Sequence, residues 1–477
     1  MKAEDVCRKW LSSWPELMKR RIYKYRQVWL AERGAAGGDR MIQTTHRTVA
    51  DERYIAAMKL NPETCIYFDI ETTGLKAETS HLYLIGYAVQ KQPGSWEITQ
   101  LFAEQTEDER RLLKAFSDIC MRYRTVIHFN GDRFDIPYLE TKYREYSMPS
   151  PFCRMDTADI YRMVRPYKEL LGLERLNQKT IEQFLGLRRK DRYDGGQLIW
   201  IYRAYRDGRS EDPKGDLEKL LLHNYEDVLG MLSLTMLTAY PAFFQMVKDS
   251  EINSEKNGEM DGGSEEQEIR RDLPAVDVRR CSCPVGLSTA NLSDGAGEDD
   301  VEQAEGEMCA EELRLSLRMP VPVPVPVSGE AAGYSLELYG TKAEIHIPLR
   351  ERTLFHFFPD YKNYYYLPAE DRAVHKSVGQ FVDSRFREQA KAENCYIRVR
   401  GVFLPCASSP ADRQGEGAGR TFEDALVFLE SRKDKAGWIQ LTDGVMERLR
   451  SDKEMALSYV CSLLAGVCRK RKKQTDR

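Results

Sequence analysis

The feature that most limits how this chain can fold is an acidic segment followed by a proline repeat. Between Glu251 and Glu312 there are 18 Asp and Glu residues against 5 Lys and Arg residues, and no aromatic residue. The segment carries a net charge of −13, so the rest of the chain, whose total is −4, carries +9. This composition cannot bury an apolar core and predicts a disordered linker. The alternating Pro and Val residues of Pro320–Val327 exclude a helix and predict an extended spacer.

These boundaries predict four parts of the chain. They are a basic helical N-terminal extension (1–60), a folded domain (61–248), a linker (249–328) and an α+β C-terminal domain of unassigned role (329–477). The length of 477 residues allows two to four domains, and the 42 % of hydrophobic residues is enough for a core. The absence of about 18 consecutive apolar residues predicts no membrane span. The eleven cysteines have no framework spacing and no signal segment precedes them, which predicts reduced thiols and a cytoplasmic location.

The folded domain shows alternating strand and helix patterns. Three apolar stretches, at 64–71, 82–89 and 96–103, are separated by short links and predict an antiparallel meander. A helical pattern at 107–123 and an apolar strand at 125–130 follow. A strand that is reached through a helix is typically added in parallel. The sequence therefore predicts an α/β fold with a mixed sheet flanked by helices.

Four carboxylates are placed where a metal ion would compensate them. Asp69 and Glu71 are two residues apart on an apolar strand, so both side chains leave the same face. Such neighbours repel each other and lose hydration, which costs several kcal/mol unless a cation offsets it. Asp135 lies near the start of a predicted helix, and Asp227 lies on a later helix. Oxygen ligands of this kind favour Mg²⁺ or Mn²⁺ over Zn²⁺.

Three motifs that contain these carboxylates resemble those of a known family. The first is Asp69–Leu75 (DIETTGL), the second lies within Phe129–Leu139, and the third is His223–Leu229 (HNYEDVL). In this order they resemble the DEDD-type 3′–5′ exonucleases, which have a ribonuclease-H-like fold, and in particular their YprB-type members. The resemblance covers about residues 62–240.

The resemblance implies an activity and a set of site residues. The activity is hydrolysis of single-stranded DNA or RNA from the 3′ end, assisted by two Mg²⁺ or Mn²⁺ ions about 3.5–4 Å apart. The products would be nucleoside 5′-monophosphates. The implied metal ligands, with Asp69 as the bridging one, are Asp69, Glu71, Asp135 and Asp227. The residues expected to contact the substrate are Leu75, Asn130 and Phe134.

The third motif departs from the wider DEDD pattern. In those enzymes the water-orienting residue is usually a Tyr four positions before the last carboxylate, or a His five positions before it. Here His223 lies four positions before Asp227, and Leu222 lies five positions before it. His223 therefore occupies the usual Tyr position. It can act as a base or only orient the water, and the sequence does not choose between these roles.

Other interpretations of the same residues remain open. The carboxylates can be surface acids in ion pairs, and the basic run Arg188–Lys190 can be a solvated face rather than a phosphate groove. Asp156 and Asp159 are more typical of helix caps than of metal ligands. At the level of function, one alternative is a nucleic-acid-binding scaffold with little turnover. Another is a structural protein that binds a protein partner through the acidic linker or the C-terminal domain.

Overall fold

The computed structural model describes residues 30–33, 41–257, 274–283, 310–331, 333–406, 425–434 and 437–468. The chain divides into two compact units. The first is Met1–Ala242 with Pro320–Val325, and the second is Phe243–Met319 with Pro326–Arg477. Most of the predicted acidic linker, at 258–273 and 284–309, lies outside the described residues, as do residues 1–29 and 34–40 of the predicted N-terminal extension.

A seven-stranded mixed sheet is the centre of the first unit. Its strands are β1 (Leu30–Arg33), β2 (Met41–Val49), β3 (Cys65–Thr72), β4 (Leu82–Gln92), β5 (Ser95–Ala103), β6 (Thr125–His128) and β7 (Asp156–Asp159). They are arranged in the order β1-β2-β5-β4-β3-β6-β7. The strands β3, β6 and β7 run parallel to one another, and all other neighbours are antiparallel. The predicted meander with a parallel addition is confirmed.

Helices cover both faces of this sheet. They are α1 (Arg53–Ala57), α2 (Glu109–Cys120), α3 (Asp135–Glu145), α4 (Ile160–Val164), α5 (Gln178–Phe184), α6 (Gly195–Arg206) and α7 (Pro213–Leu234). The next helix, α8 (Ala239–Asn257), contains the boundary between the two units. On one face, Phe68 of β3 packs in a core with Phe116 of α2. On the other face, Tyr83 of β4 stacks on Tyr202 of α6 with 4.0 Å between ring centroids. The α/β prediction of a sheet flanked by helices is confirmed.

One helical stretch, Pro213–Ser250, is long and apolar enough to cross a membrane by length and composition alone. Within it, 67 % of the most apolar 18-residue window is buried inside the protein. This burial is expected of a core helix, whose apolar residues contact the rest of the fold.

The prediction of a helical extension over residues 1–60 is wrong for residues 41–49. These residues form β2, in which buried and exposed side chains alternate. Thr44 and Thr48 are β-branched and buried on the face that also holds Ile42. A period of two and β-branched residues favour a strand, and pairing with β5 settles it.

The end of β7 combines two roles of which the sequence predicted one. Asp156–Asp159 forms an edge strand beside β6. Asp159 is also the N-cap of α4, since its carboxylate accepts a hydrogen bond from the Tyr161 backbone N–H at 2.9 Å. The predicted cap is therefore present at Asp159, while Asp156 lies within the strand.

The proline repeat is not wholly a free spacer. Pro320–Val325 belongs to the first unit, and Val321 and Val323 are each only 6 % exposed. The hydroxyl of Tyr54 donates to the Pro322 carbonyl at 2.9 Å, and that of Tyr240 donates to the Val325 carbonyl at 2.5 Å. Proline residues have no backbone N–H, and two buried tyrosine hydroxyls bind carbonyl groups of this repeat.

The second unit combines antiparallel sheets with C-terminal helices, as an α+β fold. Its strands are β8 (Asp277–Cys283), β9 (Ala310–Arg318), β10 (Val327–Ala331), β11 (Tyr334–Tyr339), β12 (Lys342–Pro348), β13 (Glu351–Phe357), β14 (Tyr364–Leu367), β15 (Arg372–His375), β16 (Glu388–Gln389), β17 (Tyr396–Cys406), β18 (Val427–Phe428) and β19 (Gly437–Gln440). The sheets have the orders β10-β11-β12-β9-β8, β13-β17-β19-β18 and β15-β14-β16. The helices are α9 (Lys376–Gly379), α10 (Asp443–Ser451) and α11 (Lys453–Cys468).

Regular structure in this unit begins earlier than residue 329, the start predicted for the C-terminal domain. Both β8 and β9 lie within the range predicted as linker. In β9, Leu313, Leu315 and Leu317 alternate with polar residues and are buried. This period-two pattern lies at the end of the acidic segment, where the overall charge composition hides it.

Candidate metal centre

The sheet places two carboxylates side by side near the end of a central strand. Asp69 and Glu71 lie on β3, which pairs with β4 on one side and with β6 on the other. Both side chains are half-buried, while the intervening Ile70 is 6 % exposed. Because side chains alternate along a strand, both carboxylates leave the same face of the sheet. This is the face on which α7 lies, since Asn224 and His223 of α7 contact Asp69 and Glu71.

A tight turn after β6 brings the third carboxylate to the same place. Asn130 adopts a left-handed backbone with φ of 63°, and its N–H donates to Asp159 Oδ1 at 2.8 Å. The Gly131 N–H donates to Nδ1 of the buried His128 at 3.0 Å, and a Cβ at Gly131 would lie 2.9 Å from that ring. The turn places Asp135 at the first position of α3, where its carboxylate accepts a hydrogen bond from the Ile70 backbone.

The fourth carboxylate and the histidine come from one face of α7. His223 and Asp227 are four residues apart, and Nε2 of His223 lies 3.2 Å from Asp227 Oδ2 and 3.7 Å from Glu71 Oε1. Nδ1 of His223 lies 2.7 Å from Asp191 Oδ2. The ring thus connects a carboxylate outside the cluster to two carboxylates within it.

The four carboxylates act on one another electrostatically. Burial raises the pKa of Asp69 well above its usual range, and the charges of Asp227, Asp135 and Glu71 raise it further. Burial, followed by the charges of Asp227 and Asp135, has the same effect on the pKa of Glu71. Burial raises the pKa of Asp135 to about 7, although hydrogen bonds from backbone N–H groups oppose the shift. The predicted ligands therefore form one cluster, in which burial and like charge both oppose ionisation.

One buried arginine partly neutralises this cluster. Arg189 Nη1 forms an ion pair with Asp227 Oδ1 at 2.6 Å, and the Arg189 side chain is 11 % exposed. Its other nitrogens bind the Glu182 carboxylate in a two-point contact, with Nη2 donating to Oε1 at 2.7 Å. Arg189 was predicted to be part of a phosphate groove or a solvated face, and it is instead a buried partner of the fourth carboxylate.

A chain of buried polar side chains orients Asp69. The Asn224 amide donates to Asp69 Oδ2 at 3.0 Å, and the Asn224 oxygen accepts from Gln100 Nε2 at 3.0 Å. The hydroxyl of Thr44 donates to the Gln100 oxygen at 3.1 Å. This series of hydrogen bonds connects β2, β5, α7 and β3. Gly86 on β4 leaves room for it, since a Cβ there would lie 2.1 Å from the Asn224 oxygen.

The three residues predicted to contact the substrate differ in their surroundings. Leu75 is 84 % exposed and follows the end of β3. Phe134 is half-buried, packs against the core beside α3, and lies 5.6 Å from the Tyr138 ring. Asn130 contributes the left-handed backbone of the turn before Asp135. Their contacts with a substrate stay a prediction.

Sequence reasoning did not predict that residues outside the three motifs support the cluster. These are Thr44, Gln100, Glu182, Arg189 and Asp191. The charged residues of this set lie in stretches of mixed charge with no periodicity, and the polar ones, Thr44 and Gln100, lie on β2 and β5. A buried polar residue in a strand is a weak signal on its own. Asn224 lies inside the third motif, next to His223. It is the supporting residue that this motif could have indicated.

The donor set fits a divalent cation. One ligand atom from each of Glu71, His223 and Asp227 lies within 4.8 Å of the other two. Asp69 and Asp135 would add oxygen ligands, and burial followed by neighbouring carboxylate charge raises the pKa of each. A hard divalent cation such as Mg²⁺ or Mn²⁺ suits such a carboxylate-rich site, and one imidazole does not exclude it.

Comparison with known proteins agrees with this arrangement. Residues 66–238 match a family model described as RNase_H_2, of the RNase H superfamily. That range contains all four carboxylates and the mixed sheet from β3 onwards, so the first unit has a ribonuclease-H-like fold.

Similarity to solved structures and curated proteins adds little. The family B DNA polymerase from the hyperthermophilic archaeon Pyrobaculum calidifontis is 14 % identical, with a TM-score of 0.31. The similarity covers 39 % of this chain and 26 % of the polymerase chain, so this protein spans about a quarter of that polymerase. A TM-score this low does not support any argument about function. No curated protein matches the chain.

Proposed function

We propose that the first unit is a divalent-metal-dependent 3′–5′ exonuclease that hydrolyses phosphodiester bonds of single-stranded DNA or RNA. The observation that carries the proposal is the convergence of Asp69, Glu71, Asp135 and Asp227 on one face of the sheet, with raised pKa values at the first three. A ribonuclease-H-like fold over residues 66–238 supports a nuclease. The 3′ polarity rests on the resemblance of the three motifs to DEDD enzymes.

Different residues of the site would have different roles in hydrolysis. Asp69, Glu71, Asp135 and Asp227 would hold two Mg²⁺ or Mn²⁺ ions, which supply positive charge for the phosphate and for the developing negative charge of hydrolysis. His223 Nε2 faces the cluster and would receive a hydrogen from the attacking water. The exposed side chain of Leu75 would contact the terminal base. Asn224 and Arg189 would keep Asp69 and Asp227 in place.

The test is degradation of single-stranded DNA and RNA that carry a label at the 5′ end. With Mn²⁺ or Mg²⁺ we expect a ladder that shortens from the 3′ end and nucleoside 5′-monophosphates as products. Asp69→Asn should abolish the ladder, whereas Asp156→Asn should keep it. Asp156 suits this control because it is an exposed aspartate on an edge strand of the same sheet. Comparison of the DNA and RNA ladders would show which sugar is preferred.

His223→Ala separates the chemical step from binding. We expect turnover to fall by at least about 100-fold, because general acid–base groups contribute about 10²–10⁴-fold. Binding of Mn²⁺ and of the single strand should persist, since the four carboxylates remain. Unchanged turnover would remove His223 from the mechanism, and loss of Mn²⁺ binding would make it a ligand instead.

A second candidate, a nucleic-acid-binding scaffold with little turnover, is favoured by one observation. The Arg189 guanidinium already pairs with Asp227, so the chain supplies a cation of its own at the fourth ligand. This candidate predicts strand binding that does not depend on added metal, and no ladder with either nucleic acid. A metal-dependent ladder would exclude it.

A further inference from the structure

We propose that Asp191 is a positioning residue that fixes the hydrogen of the His223 ring on Nδ1 and directs Nε2 to the carboxylate cluster. The inference deepens the proposed nuclease function and rests on it for its catalytic consequence. Asp191 lies outside the three motifs, in the segment between α5 and α6. It is 32 residues away from His223 in sequence.

The contact between these residues is short and buried. Asp191 Oδ2 lies 2.7 Å from His223 Nδ1, and the Asp191 side chain is 1 % exposed. An ionised carboxylate only accepts hydrogen bonds, so Nδ1 must be the donor. On the opposite side of the ring, Nε2 lies 3.2 Å from Asp227 Oδ2 and 3.7 Å from Glu71 Oε1, so Nε2 is the ring atom that faces the cluster. The partner of one ring nitrogen thus decides what the other can do.

The backbone around Asp191 holds its carboxylate in one orientation. Asp191 Oδ1 accepts from the Tyr193 N–H at 3.0 Å, which leaves Oδ2 for the histidine. The N–H groups of Lys190 and Asp191 both donate, at 2.9 Å, to the carboxylate of Glu226 on α7. The segment is therefore attached to the helix that carries His223. A carboxylate fixed in this way can hold the ring without a large loss of side-chain entropy.

The arrangement has a defined consequence for the site. With Nδ1–H bound to Asp191, Nε2 is the ring atom left to receive a hydrogen from a water at the cluster. This holds whether His223 takes the proton or only orients the water. If the ring carried its hydrogen on Nε2 instead, it would present a donor to the water, which reverses the required role.

The test reads the tautomer directly in the metal-free protein. Protein labelled with ¹⁵N at histidine is studied by two-bond ¹H–¹⁵N correlation, and the His223 signals are those that disappear in His223→Ala. We expect the Nδ1–H tautomer in the native protein. Asp191→Asn should shift the ring towards Nε2–H, because an amide can donate to Nδ1, and Asp191→Glu should keep the carboxylate and Nδ1–H. An unchanged tautomer in Asp191→Asn would overturn the proposal.

Kinetics of oligonucleotide hydrolysis provide the second readout. Asp191→Asn should lower kcat by about 10- to 100-fold, as loss of a partner behind a functional histidine commonly does, with KM within about twofold. Asp191→Glu should recover part of kcat. The control is Asp194→Ala, which removes the exposed cap of α6 in the same segment without touching His223. Equal losses in Asp194→Ala and Asp191→Asn would mean that Asp191 only supports the loop.

The two proposals can fail separately. The tautomer is measured without metal or substrate, so it tests Asp191 even if no oligonucleotide is degraded. A wild-type protein with the Nδ1–H tautomer but no ladder would remove the nuclease and leave the positioning contact. A ladder with an unchanged tautomer in Asp191→Asn would do the reverse.

Discussion

At the scale of single residues, the carboxylate cluster combines burial with like charge. Asp69, Glu71 and Asp135 all have raised pKa values because burial and neighbouring carboxylates oppose their ionisation. Ionising all of them in the metal-free fold therefore carries a cost of burial and repulsion that a divalent cation would offset. The same repulsion would make the cluster costly to keep if it served only as structure.

This repulsion predicts that removing one charge stabilises the metal-free protein. Asp69→Asn should raise the free energy of unfolding at neutral pH by about 1 kcal/mol or more, equivalent to about 2–4 °C in Tm. The amide also retains hydrogen-bonding capacity beside Asn224. Thermal unfolding with a chelator present measures the effect. In a parallel experiment without chelator, added Mn²⁺ should raise the Tm of the native protein and not that of the variant.

Asp156→Asn is the matched control, because this aspartate lies on an exposed edge of the same sheet. Its Tm should stay within about 1 °C of the native value, as surface substitutions usually do. A lower Tm for Asp69→Asn than for the native protein would show that the cluster is not repulsive.

Arg189 has the opposite role, since it is the buried cation between Glu182 and Asp227. Arg189→Ala leaves both carboxylates buried without that partner and should cost about 3–5 kcal/mol of unfolding free energy. Urea unfolding followed by circular dichroism measures it. Mn²⁺ should restore part of the loss, because it binds Asp227. Arg188→Ala, at the exposed neighbouring position, should change little, and a similar loss there would contradict the pairing role.

At the scale of elements, the site depends on how closely α7 approaches the sheet. Gly86 on β4 faces this helix, and a Cβ there would lie 2.1 Å from the Asn224 oxygen and 2.8 Å from Val228 Cγ2. The buried amides of Asn224 and Gln100 fill the remaining space and bind each other. The absence of a side chain at Gly86 therefore lets α7 place three site residues over β3.

Gly86→Ala should disturb this interface. The added methyl group displaces Asn224 or moves α7, so the hydrogen bond to Asp69 is lost or lengthened. We expect unfolding free energy to fall by about 1–3 kcal/mol, as overpacking usually costs, and Mn²⁺ affinity to fall with it. Gly195→Ala is the control, because a Cβ there meets nothing within 4 Å at the start of α6. If Gly86→Ala matched that control in both stability and Mn²⁺ binding, the close approach would not matter.

The sequence predicted the strands and helices of the site better than the residues that support the carboxylate cluster. Regular spacing made β3, β4, β5, α2 and α7 predictable, and the acidic motifs marked residues that the fold brings together. β2 was missed because its sequence is mostly polar and lies within the basic N-terminal segment that was predicted to be helical. Arg189 and Asp191 were missed because their partners lie 38 and 32 positions away in the chain. Such pairing depends on the path between α5 and α7, which no local pattern encodes.

At the scale of the whole molecule, residues 284–309 of the acidic segment fall between two paired strands of the second unit. Cys283 at the end of β8 pairs with Ala310 at the start of β9. Residues 284–309 thus connect two neighbouring strand ends, as a long hairpin connection does. Docking of a protein partner on this segment, or on the second unit, stays a prediction of the sequence.

Replacement of 284–309 by a short Asn-Gly turn should leave both units folded, because the paired strand ends are already adjacent. The Tm of the native chain and of the shortened chain should agree within about 2 °C, and Mn²⁺ binding should be unchanged. Deletion of residues 251–312 should lower the Tm more than this replacement does, since it removes β8 and part of β9. Loss of Mn²⁺ binding in the folded, shortened chain would show that the segment acts on the metal centre.

Titration calorimetry of Mn²⁺ into the chelator-treated protein tests the central claim most directly. The account predicts saturable binding of two ions to the native chain, strongly reduced in Asp69→Asn and retained in Asp156→Asn. Absence of binding to the native chain, or equal binding to Asp69→Asn, would contradict a metal centre formed by these four carboxylates.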